Sequence, residues 1–137
     1  MAETILLKEP LTDGMLEVGA KLIADLDQRK FPVVGALWLF DYENNRWDLL
    51  LASPVFDSDP LEAIQRVGEV EPTRSPHLRF DSVSVVSPRH EVIERLTERL
   101  TPEWLGDGRR FRGNVRLYLG YVEDSYIYRL PFKTPAS

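Results

Sequence analysis

Two near-continuous apolar runs, Val33 to Phe40 and Trp47 to Ala52, flank a polar stretch at 42–45 and are bracketed by Pro32 and Pro54. Nothing else in the chain restricts its fold as strongly. Branched and aromatic residues crowd both runs, and each is too short for a typical helix, so the pair predicts a buried β-hairpin. With an even loop, Phe40, Trp38, Ala36 and Val34 share a face with Trp47, Leu49 and Leu51. Leu39, Leu37 and Gly35 then share the other with Asp48, Leu50 and Ala52. Both faces are apolar, one aromatic and one aliphatic, so the hairpin needs cover on both sides. Helices can cover one face; the other must be met by more of the chain, a second copy or a ligand.

The rest of the chain predicts a single compact α+β domain over residues 1–137: a mainly antiparallel five-stranded sheet with three packed helices, in the order α-β-β-α-β-α-β-β. Residues 3–8 form a short edge strand or an arm. Thr12 or Asp13 opens the first helix, whose stripe is Met15, Val18, Leu22 and Leu26, and Phe31-Pro32 stops it. Asp59 caps a second, short helix that starts at Pro60, carries Glu62 in its first turn and ends near Gly68. Residues 80–86 alternate as a strand. Ser87-Pro88 repeats the cap-and-proline device ahead of a third helix running to Leu100, which Thr101-Pro102 ends. Two final strands, 111–122 and 125–130, meet at Glu123-Asp124, and residues 131–137 are expected to be a flexible tail.

At 137 residues the chain can bury a real core without staples. It has no cysteine, which excludes disulfides and thiolate chemistry, and with two histidines little remains for zinc. No apolar run is long enough to span a bilayer and the first ten residues lack a signal-peptide core, so a cytoplasmic protein without membrane partner, metal or cofactor is expected. The formal charge of −5 argues against a surface wholly committed to nucleic acid. A local basic site is still open, because four of the 13 arginines fall within 109–116.

Phe31-Pro32-Val33, Ala52-Ser53-Pro54 and the closing Glu123-Asp124-Ser125-Tyr126-Ile127-Tyr128-Arg129-Leu130 give the chain a pattern that resembles a family of small bacterial proteins of unknown function. The resemblance implies no activity.

Three places could carry function. Ser87, Arg89 and His90 put two potential cations in the first turn of a predicted helix, where the macrodipole favours carboxylates; with free amides they would make an anion cradle. The plainer reading is a capped helix with solvated basic side chains. Arg109, Arg110 and Arg112 sit in a glycine-punctuated loop with Trp104 and Phe111, a composition that can hold phosphates and stack bases, or simply form a charged turn. Asp41, Glu43 and Asp48, with Asp57 and Asp59 after the second strand, gather around the hairpin, and Asp48 lies inside an apolar strand. A pair of them with a metal could hydrolyse phosphodiesters, or they simply serve as turn residues, ion-pair partners and a helix cap. No phosphate loop, nucleophile elbow or zinc spacing is present. The leading expectation is therefore a non-enzymatic binding or interaction domain that self-associates through a sheet face, with Trp38, Phe40, Trp47, Tyr118, Tyr126 and Tyr128 at the interface. The alternative is a phosphate- or nucleic-acid-binding module, or an enzyme acting on a phosphate ester, using Arg89, His90 and the arginine loop.

Overall fold

Asp41 builds the turn that sets the register of the central sheet. In the computed structural model, which describes residues 7–70, 72, 75–76, 82–118 and 120–133, its Oδ1 accepts the backbone N–H groups of Glu43 (3.0 Å) and Asn44 (3.3 Å). Its Oδ2 accepts the Asn44 side-chain amide at 2.7 Å, and that bond holds the Asp41 pKa below the usual carboxylate value. Asn45 closes the loop at φ 48°, a left-handed conformation that asparagine tolerates better than most residues. The loop is even, so β1 (Gly35–Asp41) and β2 (Arg46–Ala52) pair Phe40 with Trp47, Trp38 with Leu49 and Leu37 with Leu50. The expected division of the hairpin into an aromatic and an aliphatic face is present.

Both faces are covered by the chain itself. Over the aromatic face lie Leu22, Ile23 and Leu26 of α1 (Asp13–Gln28) and Ala63 and Val67 of α3 (Pro60–Gly68). Over the aliphatic face lie Val92, Ile93 and Leu96 of α4 (Glu91–Arg99), together with Leu105, Val115 and Val122. Each fully buried large side chain contributes about 1.5–3 kcal/mol, so the two layers hold the hairpin from opposite sides.

The strand order is β3-β2-β1-β7-β4, with β3 (Val83–Val86), β4 (Arg109–Phe111) and β7 (Ser125–Arg129) flanking the hairpin. The sheet is mixed and not wholly antiparallel, because β3 pairs parallel to β2. The two strands are joined by a crossover carrying α2 (Pro54–Ser58) and α3, which returns the chain to the end of the sheet where β2 began.

The described residues form five helices where three were expected. Thr101-Pro102, expected to end the third helix, also starts a further one. Thr101 Oγ1 accepts the Trp104 N–H (3.2 Å) at the head of α5 (Pro102–Leu105), and Ser53 Oγ accepts the Val55 N–H (3.2 Å) at the head of α2. Thr12 and Asp59 cap α1 and α3 as expected. Ser87 does not cap α4: its Oγ accepts the Arg89 N–H in a turn, and the helix starts at Glu91 with His90 as cap.

The expected strand 111–122 breaks into three. Gly113 lies so close to the Phe111 ring that a Cβ there would meet it at 2.6 Å, and the chain bends. After it, β5 (Val115–Leu117) and β6 (Gly120–Val122) fold back as a separate two-stranded ribbon. Residues 80 and 81 of the expected third strand, His77, Leu119, residues 3–6 of the leading arm and residues 134–137 of the tail lie outside the described residues.

The closing strand ties α1 to the sheet. Trp38 Nε1 donates to Tyr128 Oη at 2.8 Å, and that hydroxyl donates to the Leu16 carbonyl at 2.8 Å. Arg129 grips Asp27 through two nitrogens (3.1 and 3.0 Å) and the Val33 carbonyl (3.0 Å), fixing the far end of the same helix.

Candidate functional site

The residues singled out in the sequence do not converge. At the ribbon tip the Tyr118 N–H donates to Glu91 at the start of α4, and at its base Arg99 donates to the Asn114 carbonyl at the helix end. The nine residues of α4, about 13 Å, therefore separate Arg89 and His90 from the arginine loop. His90 Nδ1 accepts the Val92 N–H at 3.2 Å, which requires an unprotonated nitrogen; burial pushes its pKa below the ordinary value, against the opposing pull of Glu91. Asp48 is paired with Arg46 (3.1 Å). It precedes the Leu49–Val83 pairing, whereas Ser87 follows Val86 opposite Ala52, so four residues of strand, about 13 Å, part it from the His90 end.

The expected interface is mostly interior. Trp38, Phe40 and Trp47 are 0%, 6% and 3% exposed. Tyr126 and Tyr128 pack against the same core and stack edge-on at 5.2 Å. Of the six residues only Tyr118, 88% exposed, faces freely outward. The cover over the aromatic face comes from α1 and α3, so Trp38, Phe40, Trp47, Tyr126 and Tyr128 are packed within one chain.

A different cluster assembles where the turn end of the hairpin meets the 110–114 loop and Glu123-Asp124. Lys8, Tyr42, Arg110, Arg112, Asn114, Glu123 and Asp124 line a cleft of about 400 Å³ there. The Asp124 carboxylate is 4% exposed and accepts Arg110 in a fork, Nε at 3.0 Å and Nη2 at 2.8 Å, and also Lys8 Nζ. Burial works against its charge, but the bonds from Arg110 and Lys8 prevail and its pKa lies below the usual value.

The Lys8 ammonium stands among three rings, 4.6 Å from the centroid of Phe40, 5.3 Å from Trp47 and 5.8 Å from Tyr42. The Arg110 guanidinium lies 5.4 Å from the Trp47 ring. The rings brace one another, Phe40 against Tyr42 at 4.6 Å and against Trp47 at 5.3 Å, and Tyr42 Oη donates to Glu123 at 2.8 Å. Such a box attracts cations through the negative faces of its rings.

The backbone on either side of Lys8 is held as well. Asn45 Oδ1 accepts the Glu9 N–H (3.0 Å) while its Nδ2 donates to the Leu7 carbonyl (2.9 Å), and Trp47 Nε1 donates to the Glu9 carbonyl (2.8 Å). Leu7 itself is 81% exposed, so this strap is fastened by polar contacts and by one lysine.

Of this cluster, sequence reasoning reached Arg110, Arg112, Phe40 and Trp47, but assigned them to separate roles, and it gave Tyr42 none. Lys8, Asn45 and Asp124 carry no local signal, since they lie 37 and 79 residues apart in succession and meet only through the strand pairing. Among the described residues no group of three histidines or acidic side chains could hold a metal ion, and no helix is long and apolar enough to cross a membrane. Comparison of the chain with protein-family models, with curated proteins and with solved structures returned no match.

Proposed function

We propose that the protein is a non-catalytic binding domain, and that its site at the hairpin end takes an extended peptide segment carrying a lysine. The observation that carries this reading is the two-sided grip of Asn45 on the backbone around Lys8. An amide that accepts from one residue and donates to its second neighbour reads extended backbone whatever the side chains, while the aromatic box and Asp124 select the ammonium between them. The Leu7–Glu9 strap is the occupant in cis. The same segment of a second copy has the same chemistry, so self-association enters here by strap exchange and not through a sheet face.

The acid of the site has no spare capacity for proton transfer, because Arg110 and Lys8 both hold it in its charged form. Exchange is plausible on energetic grounds: a box of this kind is worth roughly 0.5–2 kcal/mol and the polar contacts about 1 kcal/mol each.

Full-length Lys8→Glu protein, whose strap now faces Asp124 with a like charge, is titrated with a synthetic peptide of residues 4–12 while Trp47 fluorescence is followed. The peptide is expected to bind this variant at least tenfold more tightly than wild type, where the tethered strap competes at an effective concentration of about 1 mM. Replacing the peptide lysine by alanine, or Asn45 by alanine in the protein, is expected to abolish binding. Failure of Lys8→Glu protein to bind, or equal binding of the alanine peptide, refutes the reading.

A further inference from the structure

The ribbon that caps the aliphatic face has an outer side that the core does not use. Val115 and Val122 point inward and are buried, so their neighbours Arg116 and Tyr121, paired directly across the ribbon, point out. Tyr121 is 61% exposed and Tyr118, in the turn, 88%. Arg112 lies at the ribbon base, on the cleft that Lys8 and Asp124 line; Arg109 is engaged elsewhere, its guanidinium 4.7 Å from the Trp104 ring and donating to the Trp104 carbonyl at 3.3 Å.

Residues 108–122 hold four arginines and no acidic residue, in a chain whose formal charge is −5. Among the described residues neither Arg112 nor Arg116 forms an ion pair, while Arg110 is engaged by Asp124. Two carboxylates border the ribbon: Glu91 accepts the Tyr118 N–H and lies 3.9 Å from Arg95, and Glu123 accepts Tyr42 Oη.

We infer that this outer face is a docking track for single-stranded nucleic acid, with Arg112 and Arg116 on phosphates and Tyr118 and Tyr121 stacked on bases. Exposed rings at 88% and 61% have no packing role to explain them, and every base offers a face on which they can stack. A duplex fits less well, because its bases are already stacked and a flat tyrosine has nothing to cover. The three residues of β5 span about 10 Å between the ribbon base and its tip, room for roughly one or two nucleotides. The track meets the peptide cleft at Arg112, which lines both, but Arg116, Tyr118 and Tyr121 lie outside that cleft, and the track does not rest on the peptide reading.

Fluorescein-labelled dT12 and rU12 are titrated into the full chain at about 20 mM and about 150 mM salt, with anisotropy as readout. Both are expected to bind, with a slope of log K against log salt of about −1.4 for two phosphate contacts; a preference for one oligomer identifies DNA or RNA as the source. Tyr118→Ala and Tyr121→Ala are each expected to weaken binding roughly tenfold at unchanged slope, and Arg116→Ala to reduce the slope by about 0.7. Both tyrosines are exposed, so the variants fold, and far-UV circular dichroism checks this. No binding at the lower salt overturns the inference, as does binding that ignores both tyrosine substitutions. Sedimentation that shows a dimer lost in Tyr118→Ala overturns it too, by assigning the face to a second copy.

Discussion

Gly19 in α1 offers the sharpest test of how that helix sits on the sheet. An alanine in a helix interior is ordinarily about 1 kcal/mol better than glycine. Here the added Cβ would stand 2.4 Å from Tyr128 Oη, 3.0 Å from Tyr128 Cζ and 3.0 Å from Trp38 Nε1. The phenol must move by about an ångström, which costs roughly 1–3 kcal/mol as overpacking. Its displacement breaks the bond to the Leu16 carbonyl and strips the acceptor from the fully buried Trp38, a further 1–3 kcal/mol for an orphaned donor.

Against the helix gain, Gly19→Ala is expected to destabilise by about 2 kcal/mol, lowering the urea midpoint by about 1 M. Tyr128→Phe alone removes the hydroxyl and costs about 1–2 kcal/mol. In the double variant the new methyl group occupies the space the hydroxyl vacated, so Gly19→Ala adds almost nothing to Tyr128→Phe. Urea denaturation followed by circular dichroism across the four proteins gives a coupling energy of about 2 kcal/mol. Gly19→Ala protein as stable as wild type, or strictly additive losses, would show that α1 does not approach Tyr128 as described.

Acid sensitivity is expected from Asp124, whose folded pKa lies below the ordinary 3.8: its contribution to stability is present above about pH 4 and is lost as pH falls through the folded value. Asp124→Asn should flatten the pH dependence of the urea midpoint in that range. His90 has a depressed folded pKa as well, so its cap contributes above pH 6.5 and is lost as pH falls through the lower folded value. NMR titration should place its midpoint below 6.5, and His90→Ala should cost about 1 kcal/mol at pH 8. Leu96→Ala, at a fully buried position of α4, is expected to cost about 2–5 kcal/mol by chemical denaturation. Leu61→Ala, 64% exposed on α3, should change stability by no more than about 0.5 kcal/mol; a large effect there would mean that this helix buries a different face.

The sequence by itself determined the hairpin, its register and its two apolar faces, because strand alternation and an even loop are local properties that the core only ratifies. It also determined α1 and α3, whose caps at Thr12 and Asp59 are satisfied within three residues. Tertiary structure decided what covers the second face. Residues 111–122 alternate well enough for a long strand, yet Gly113 packed on Phe111 and the pull of Val115 and Val122 toward the aliphatic layer turn them into a ribbon. That folding back covers the aliphatic face, while α1 and α3 cover the aromatic residues expected at an interface. It also decided that Lys8, Asn45 and Asp124 meet. Only the pairing of β7 beside β1 brings the closing acid to the hairpin end, and no spacing along a chain can register a contact between residues 116 apart.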